Sequence, residues 1–369
     1  MRRGTYPFST AAGLLLLLPL LWLTACQSPF ARTGPKFDAR KPKPVASAVT
    51  NFTSVPLTNQ LAPEILQPVS EPFTLGPGDK IEIEILGDPS TQSLVTIGPD
   101  GKIYYYLLPG MDVWGLTLAQ TKERLERDLA QYVPGAQVAV TLRAIESKRV
   151  WLLGRLHNSG IYPMGAPMTL LEAISVAGGL LSPTGPGTSG AEELADLPHS
   201  FVVRSGQLLP VDFQRLIQEG DMTQNIQLRP DDFVYVPSAV AQDVYVLGAV
   251  RLPRPVAYAQ AKTLIAAITD SGGTVKDAYL THVGIVRGSL AQPRIAVVNY
   301  KDIVSGKAPD VRLQPRDIVY VPFSPYKNLV KYVNFILDTF ARAEAINEGA
   351  RAATQNALPV GVSIGVGVH

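Results

Sequence analysis

The sequence predicts an α+β protein built from small repeated units. A proline-bearing turn followed by an alternating strand occurs three times, at residues 75–85, 228–236 and 313–321, with the shared spacing Leu-x-Pro-x-Asp-x-aliphatic-x-aliphatic. A longer pattern of strand, strand and helix occurs twice, Val150 matching Val244 at an offset of 94 residues. Internal repeats of this kind are typical of chains assembled from similar modules.

Bulk composition limits the possible functions. The chain has 369 residues, enough for two to four domains, and its 46% apolar and 17% charged shares are typical of a well-buried globular protein. A net charge of +2 gives no electrostatic reason to expect a nucleic-acid partner. The single cysteine excludes disulfides within the chain and every multi-cysteine metal site.

Residues 1–25 have the pattern of a secretory signal peptide. Arg2 and Arg3 precede an apolar stretch from Ala11 to Leu23, which ends in Leu-Thr-Ala before Cys26. These last four residues resemble the bacterial lipobox, which implies a lipoprotein with palmitate or another acyl chain on Cys26. Gln27 in place of an aspartate implies, by resemblance to sorting rules, the outer membrane of a Gram-negative bacterium. An ordinary signal peptide or an uncleaved anchor is the alternative.

The mature chain is predicted to begin with a tether and a first folded region. Residues 26–71 contain seven prolines and no sustained periodicity, which favours an extended linker. Residues 72–146 then form a small α/β domain. Its predicted parts are a strand through Ile85, a hairpin at Gly98–Gly101, a strand over Ile103–Leu107, a helix over 117–132 with a capping box at Thr117, and a strand over Val138–Leu142.

Residues 147–238 and 239–323 are predicted to be two like repeats. Each reads strand, strand, helix, then two or three strands; Thr169 with Glu172 opens the first helix, and Thr263 opens the second. Gly178 and Gly272 end them. The first repeat carries about nine extra residues, which we expect within 182–198. The aspartates at the repeated turn are predicted to stabilise it rather than to catalyse; they are Asp79, Asp232 and Asp317.

The stretch from Tyr326 to Asn347, within residues 324–348, is predicted to be an amphipathic helix. Its polar residues recur every three or four positions and form a narrow stripe: Lys327, Lys331, Asn334, Asp338 and Arg342. The rest is apolar and includes Leu329, Val333, Phe335, Ile336, Leu337 and Phe340. About twenty residues give a rod of roughly 30 Å, the thickness of a bilayer's hydrocarbon layer.

Such a helix has more than one possible environment. If it spans a membrane, its charged stripe must face water or partner helices, which requires a ring of subunits. It could instead lie flat on a membrane surface, or dock on a soluble core or a coiled-coil partner. The tail 349–369 alternates like a strand over residues 359–368 and has no functional explanation.

The motifs of residues 72–322 together resemble the Wza-type outer-membrane polysaccharide export lipoproteins. The LGPGDKIEIEI opening, the PDGKI turn and the VAVTL strand are similar to the polysaccharide export domain. The V-x-x-L-G, T-L-x-x-A-I and G-G motifs are similar to the soluble-ligand-binding β-grasp (SLBB) repeats of that family.

This resemblance implies a translocon subunit that passes capsular polysaccharide or exopolysaccharide from periplasm to cell surface. It implies a homo-oligomer, by resemblance an octamer, in which the last helices form a membrane-spanning barrel. The polar stripe would line the pore, and the apolar residues would face lipid or neighbouring helices. The resemblance also implies an inner-membrane polysaccharide co-polymerase as partner.

Enzyme signatures are absent from the sequence. The chain has four histidines, no H-E-x-x-H and no G-x-S-x-G, so we expect no catalytic residues, no metal and no cofactor. Residues 185–190 fit G-x-G-x-x-G but follow a turn rather than a strand, and the Gly-Gly pairs fit helix ends better than a ligand site. The alternative function is a lipid-anchored periplasmic scaffold that binds glycan or envelope components and forms no pore.

Overall fold

A computed structural model describes residues 51–55, 61, 63–67, 72–181, 195–258 and 262–356. The predicted signal peptide, Cys26, the G-x-G-x-x-G stretch and residues 357–369 of the predicted tail lie outside these residues. The strands are β1 Thr53–Ser54, β2 Lys80–Ile85, β3 Asp88–Thr96, β4 Lys102–Ile103, β5 Met111–Asp112, β6 Val138–Ala144, β7 Arg149–Gly154, β8 Gly160–Pro163, β9 Phe201–Arg204, β10 Gln207–Leu209, β11 Phe233–Val236, β12 Val244–Gly248, β13 Arg254–Val256, β14 Val283–Arg287, β15 Arg294–Val298 and β16 Ile318–Val321. The helices are α1 Pro63–Leu66, α2 Leu118–Leu129, α3 Leu170–Val176, α4 Phe213–Gln218, α5 Leu264–Asp270, α6 Tyr300–Val304 and α7 Leu329–Asn356.

The first folded domain is a three-stranded antiparallel sheet in the order β3-β2-β6, covered by α2. Along β2 every second residue is buried, and Ile81, Ile83 and Ile85 supply the core. The capping box at Thr117 is confirmed, because its hydroxyl accepts from the Gln120 N–H while the Gln120 side chain accepts from the Thr117 N–H. Sequence periodicity therefore identifies this domain's main elements.

The hairpin β4–β5 differs from the predicted strand over Ile103–Leu107. The strand ends at Ile103, because Tyr106 takes a left-handed conformation with φ of 49° and the Leu108 N–H donates to the Tyr105 carbonyl. The Tyr105 hydroxyl donates to the Thr91 carbonyl, which attaches this turn to β3. The pKa of the Tyr105 phenol is raised by its burial. The tyrosine-rich run 104–107 thus forms a tight turn rather than a longer strand.

The two repeats share one topology. Each runs strand, strand, helix, strand, strand, helix, strand, and its first and last strands are parallel neighbours, β7 with β11 and β12 with β16. The predicted caps at Thr169 and Thr263 are confirmed, and in the first the Glu172 carboxylate also accepts from the Thr169 N–H. The extra residues of the first repeat fall between its first helix and its third strand, at 177–200 against 271–282.

The repeated turn has the same geometry in all three copies. The turn aspartate accepts from the N–H three residues earlier, at 2.9 Å for Asp79, 2.8 Å for Asp232 and 2.7 Å for Asp317. Its own N–H donates back to the same residue's carbonyl. Proline at the second position and positive φ at the third are the features of a type II turn. The predicted structural role of these aspartates is confirmed by these contacts.

Part of the tether packs on the repeats. Strand β1 extends the second repeat's sheet to six strands by pairing with β15, and Val55 is buried beside it. The Phe52 ring lies 4.4 Å from the Arg287 guanidinium. Further along, the Ile65 carbonyl accepts from the Gln227 N–H of the first repeat. The tether, expected to be an extended linker, therefore contacts both repeats before it reaches the first domain.

Candidate functional site

The last helix, α7, is the candidate functional element. It begins after Asn328, whose side-chain oxygen accepts from the Lys331 N–H, and it continues to Asn356, nine residues beyond the predicted end. Within the residues that the structure describes, no helix combines the length and apolar character needed to cross a bilayer. The helix instead packs along β7, β9 and β10 of the first repeat and β12 of the second.

Most of the apolar side chains predicted to face lipid or neighbouring helices are buried against the two repeats. Val333 and Ile336 are 0% exposed, and Leu337 and Phe340 are also buried. Leu329 is half-buried at the first turn. Phe335 is 54% exposed, and its ring touches the second repeat edge-on at Tyr320, with 5.7 Å between the ring centroids. The structure therefore brings this face of the helix onto protein, one of the alternatives left open by the amphipathic pattern.

Aromatic rings form the centre of this contact. The Phe340 ring lies 4.7 Å from Tyr245 and 5.9 Å from Phe201, both in edge-on geometry, so it reaches the sheets of both repeats. The Tyr332 ring stacks on Tyr326 at 4.3 Å, and its hydroxyl donates to the His282 carbonyl. Burial raises the pKa of the Tyr245 phenol. Aromatic pairs in these arrangements add to the stabilisation that burial provides.

The five predicted pore-lining residues lie along the edge of the packed face. Lys327 and Lys331 are exposed to solvent. The Asp338 carboxylate accepts from the Leu208 N–H at 2.9 Å. The Arg342 guanidinium donates to the Gly206 carbonyl at 3.0 Å. Asp338 thus binds strand β10, and Arg342 binds the turn between β9 and β10.

Two polar groups on the helix are costly to bury in this position. The side-chain oxygen of Asn334 is buried and has no hydrogen-bond partner among the described residues. Glu344 is 5% exposed, one turn after Phe340. Burying an unpaired polar atom or a carboxylate opposes packing. Sequence reasoning missed Glu344, because it lies on the apolar side of the helix.

The turn aspartates of the repeats carry ion pairs that the sequence pattern did not indicate. Arg204 donates two hydrogen bonds to Asp232 at 2.7 and 2.9 Å, and Arg287 donates two to Asp317 at 2.6 and 2.7 Å. Asp79 has no arginine partner within the described part of the chain and accepts instead from Ser147 and Glu146, which follow β6. All three carboxylates are buried and fully engaged in holding turns.

A metal site requires several histidine, cysteine, aspartate or glutamate side chains close together. The described ranges contain no cluster of three or more such side chains arranged to hold a metal ion. The Gly178-Gly179 and Gly272-Gly273 pairs have φ between 77° and 86° and donate back into the helices that they end. These glycines serve as helix C-caps, as their sequence pattern favours.

Comparison with known proteins identifies each folded region. Residues 67–143 match the family described as polysaccharide biosynthesis/export protein, and residues 148–236 and 242–321 each match the SLBB domain. Two relatives are proteins named EPS I polysaccharide export outer membrane protein EpsA, from Ralstonia nicotianae and Ralstonia solanacearum. Each is 26% identical over 283 residues, which cover 75% of this chain and 71% of the relative.

Proposed function

This chain belongs to the Wza-type outer-membrane polysaccharide export proteins, and from that membership we propose that it is the outer-membrane subunit of an exopolysaccharide or capsule translocon. The observation that carries the proposal is the order of one export domain and two SLBB domains over residues 67–321. The two EpsA relatives share most of this span. The family consists of export proteins rather than enzymes, so we assign no reaction.

The proposed location is the outer membrane, with a lipid on Cys26 and most of the mass in the periplasm. The path of the tether supports this arrangement. Val55 packs into the same apolar core as helix α7, so the chain that follows the anchor joins the body beside the last helix. The described residues that follow the proposed anchor therefore share one apolar core with the last helix.

We propose further that several copies form a ring, an octamer by resemblance, around the path of the polymer. In the assembled state helix α7 leaves the repeats and joins a barrel of such helices. Lys327, Lys331, Asn334, Asp338 and Arg342 then line the pore, while the apolar residues face lipid or neighbouring helices. Hydroxyl-rich sugar chains suit a lining of mixed charges and an amide, which offers donors and acceptors without strong binding.

Helix α7 can either pack on the repeats or join the proposed barrel, but it cannot do both at the same time. The side chains of Val333, Ile336, Leu337 and Phe340 that would contact lipid are the ones that pack on the repeats. The unpaired Asn334 oxygen and the buried Glu344 lower the stability of the packed state. Release of the helix on assembly is therefore part of the proposal, and the export domain would face an inner-membrane co-polymerase.

The packed helix also favours a second candidate function. A lipid-anchored periplasmic scaffold that binds glycan or envelope components would keep the helix where it lies against the repeats. It would need no spanning segment. The position of residues beyond the helix separates the two functions.

Cysteine labelling of intact cells tests the proposal. A thiol at Gln355, in the last turn of α7, is compared with a control thiol at Lys307, an exposed position of the second repeat, using a membrane-impermeant reagent. We expect labelling at position 355 and none at 307 until the outer membrane is permeabilised. Protection of both positions in intact cells would contradict the spanning helix and favour the scaffold.

A further inference from the structure

The exposed face of the hairpin β4–β5 carries an unusual set of side chains. The register pairs Lys102 with Asp112 and Ile103 with Met111. Ile103, Met111 and Val113 are buried in the domain core. Because side chains alternate along a strand, the opposite face carries the residues between them. They are Lys102, Tyr104, Asp112 and Trp114, and we name them the hairpin strip.

Both aromatic rings of the strip are held against glycine backbone. A Cβ placed on Gly110 would lie 3.0 Å from the Tyr104 ring, and one placed on Gly101 would lie 2.8 Å from the Trp114 Cβ and 3.2 Å from its ring. The other side of each ring faces solvent, since Tyr104 is 63% and Trp114 is 64% exposed. The glycines thus let two large rings lie close to the hairpin with a free face.

The rings stand at opposite ends of the strip with a charged pair between them. Tyr104 lies over Gly110, and Trp114 lies over Gly101. Tyr104 is three strand positions from Gly101, so the two rings are separated by about 10 Å. Lys102 and Asp112 occupy the space between, directly opposite each other and both exposed. The strip therefore alternates aromatic face, charged groups and aromatic face.

This alternation matches the chemistry of a polysaccharide. A sugar ring has an apolar C–H face, which packs on an aromatic ring, and a rim of hydroxyls, which bonds to lysine and aspartate. A second copy of the chain would fit less well, because the centre of a protein interface is depleted of lysine and aspartate. Rigid tyrosine and tryptophan rings also provide contact area with little loss of conformational entropy.

We propose that the hairpin strip is a polysaccharide-binding site on the export domain. The assignment rests on the proposed function and adds the residues that contact the polymer there. Tyr104 and Trp114 stack on sugar units, and Lys102 and Asp112 bind hydroxyl or charged groups between them. Tyr106 and Leu107, exposed in the adjoining turn, extend the surface beyond Tyr104.

Tryptophan fluorescence of the mature lipoprotein tests this site. The chain has three tryptophans, and Trp22 lies in the signal peptide, so Trp151→Phe leaves Trp114 as the reporter in the mature protein. The probe is the purified extracellular polysaccharide of the producing cells, with dextran as the comparison polymer. We expect the polysaccharide to shift Trp114 emission and to protect it from acrylamide quenching.

Variants then identify the contacts. Tyr104→Ala in the same background should lower the apparent affinity about fivefold, since a stacked aromatic contact is worth roughly 1 kcal/mol. Tyr132→Ala is the matched control, because Tyr132 is 47% exposed in the same domain but lies outside the hairpin. An unchanged Trp114 spectrum with the polysaccharide would overturn the proposal. A shift that depends only on protein concentration would assign the strip to contacts between copies.

Export assays separate failure of this site from failure of the proposed function. If deletion of the gene leaves surface polysaccharide unchanged, the exporter function itself is wrong. If deletion abolishes surface polysaccharide and a Tyr104→Ala/Trp114→Ala chain restores it fully, only the hairpin strip is wrong. We expect the double variant to accumulate at a normal level and to restore export poorly, while Tyr132→Ala restores it.

Discussion

At the scale of single residues, the repeated turn illustrates how backbone conformation is matched to residue type. The third turn position has positive φ in every copy, 92° at Gly78, 66° at Asp231 and 71° at Arg316. Glycine adopts this conformation without strain, whereas a side chain with Cβ does so at a cost. Arg316 binds Asp196 across the fold, but Asp231 is exposed.

Substitution at these positions should therefore change stability in opposite directions. We predict that Asp231→Gly raises the free energy of unfolding by about 0.5–1 kcal/mol, because it removes left-handed strain at an exposed site. Gly78→Ala should lower it by about 1–2 kcal/mol, since it introduces that strain. Urea unfolding measures both. Equal effects of the two substitutions would contradict the assignment of strain to this position.

The sequence indicated the role of the turn aspartates but not their arginine partners. The turn is a local pattern, and its proline and aspartate can be recognised within a sequence window of about nine residues. Arg204 and Arg287 lie 28 and 30 residues from the carboxylates that they bind. They meet them only because β9 and β14 pair with the strands that follow the turns. No spacing rule predicts such a contact.

At the scale of elements, the amphipathic pattern predicted helix α7 but could not choose its environment. The same apolar side chains can pack against lipid or against the apolar face of a sheet. Periodicity alone therefore predicts the helix but does not distinguish these two environments. The short helices α4 and α6 were missed. They have six and five residues, too few for a repeating helical pattern of apolar residues to be recognised, although Asp212 and Asn299 cap them.

Phe335 distinguishes the packed helix from the proposed spanning helix. In the packed state its ring is 54% exposed and touches Tyr320 edge-on, so Phe335→Asp should lower the free energy of unfolding by only about 1 kcal/mol. In a spanning helix the new carboxylate would face lipid or a neighbour, and export should fall to background. Leu252→Asp, an exposed position in the second repeat, is the control and should export normally. Normal export by Phe335→Asp would argue against the barrel.

At the scale of the whole molecule, helix α7 joins the two repeats into one apolar core. That core contains Phe201 and Leu208 of the first repeat, Tyr245 and Tyr320 of the second, and Phe340 between them. The export domain has its own core around Ile81, Ile83 and Leu125. The sequence predicted the order of these units, but the addition of β1 to the second repeat depends on a long-range pairing that it does not reveal.

This division predicts two separate unfolding transitions. Phe340→Ala should lower the stability of the repeats by about 3–5 kcal/mol, because it leaves a cavity where both sheets meet the helix. Trp151 lies against this core and Trp114 in the export domain, so single-tryptophan variants report each transition during urea unfolding. Only the Trp151 transition should move.

The exposed Val304 gives a matched control for that experiment, since Val304→Ala removes no buried contact. A simultaneous shift of both transitions in Phe340→Ala would mean that the export domain and the repeats unfold as one unit. An unchanged Trp151 transition would mean that the helix contributes little to holding the repeats together.

The parallel pairing of the first and last strands in each repeat also affects how such a chain can grow. Because β7 and β11 run in the same direction, the polypeptide enters the unit at one end of the sheet and leaves at the other, and the same holds for β12 and β16. Only residues 237–243 connect one unit to the next. A duplicated segment that begins in this connector and ends just after β16 adds one complete sheet and breaks no strand pairing between β7 and β11 or between β12 and β16. The length of the protein can therefore change by whole repeats during evolution, which provides a physical route to export proteins that extend over different distances.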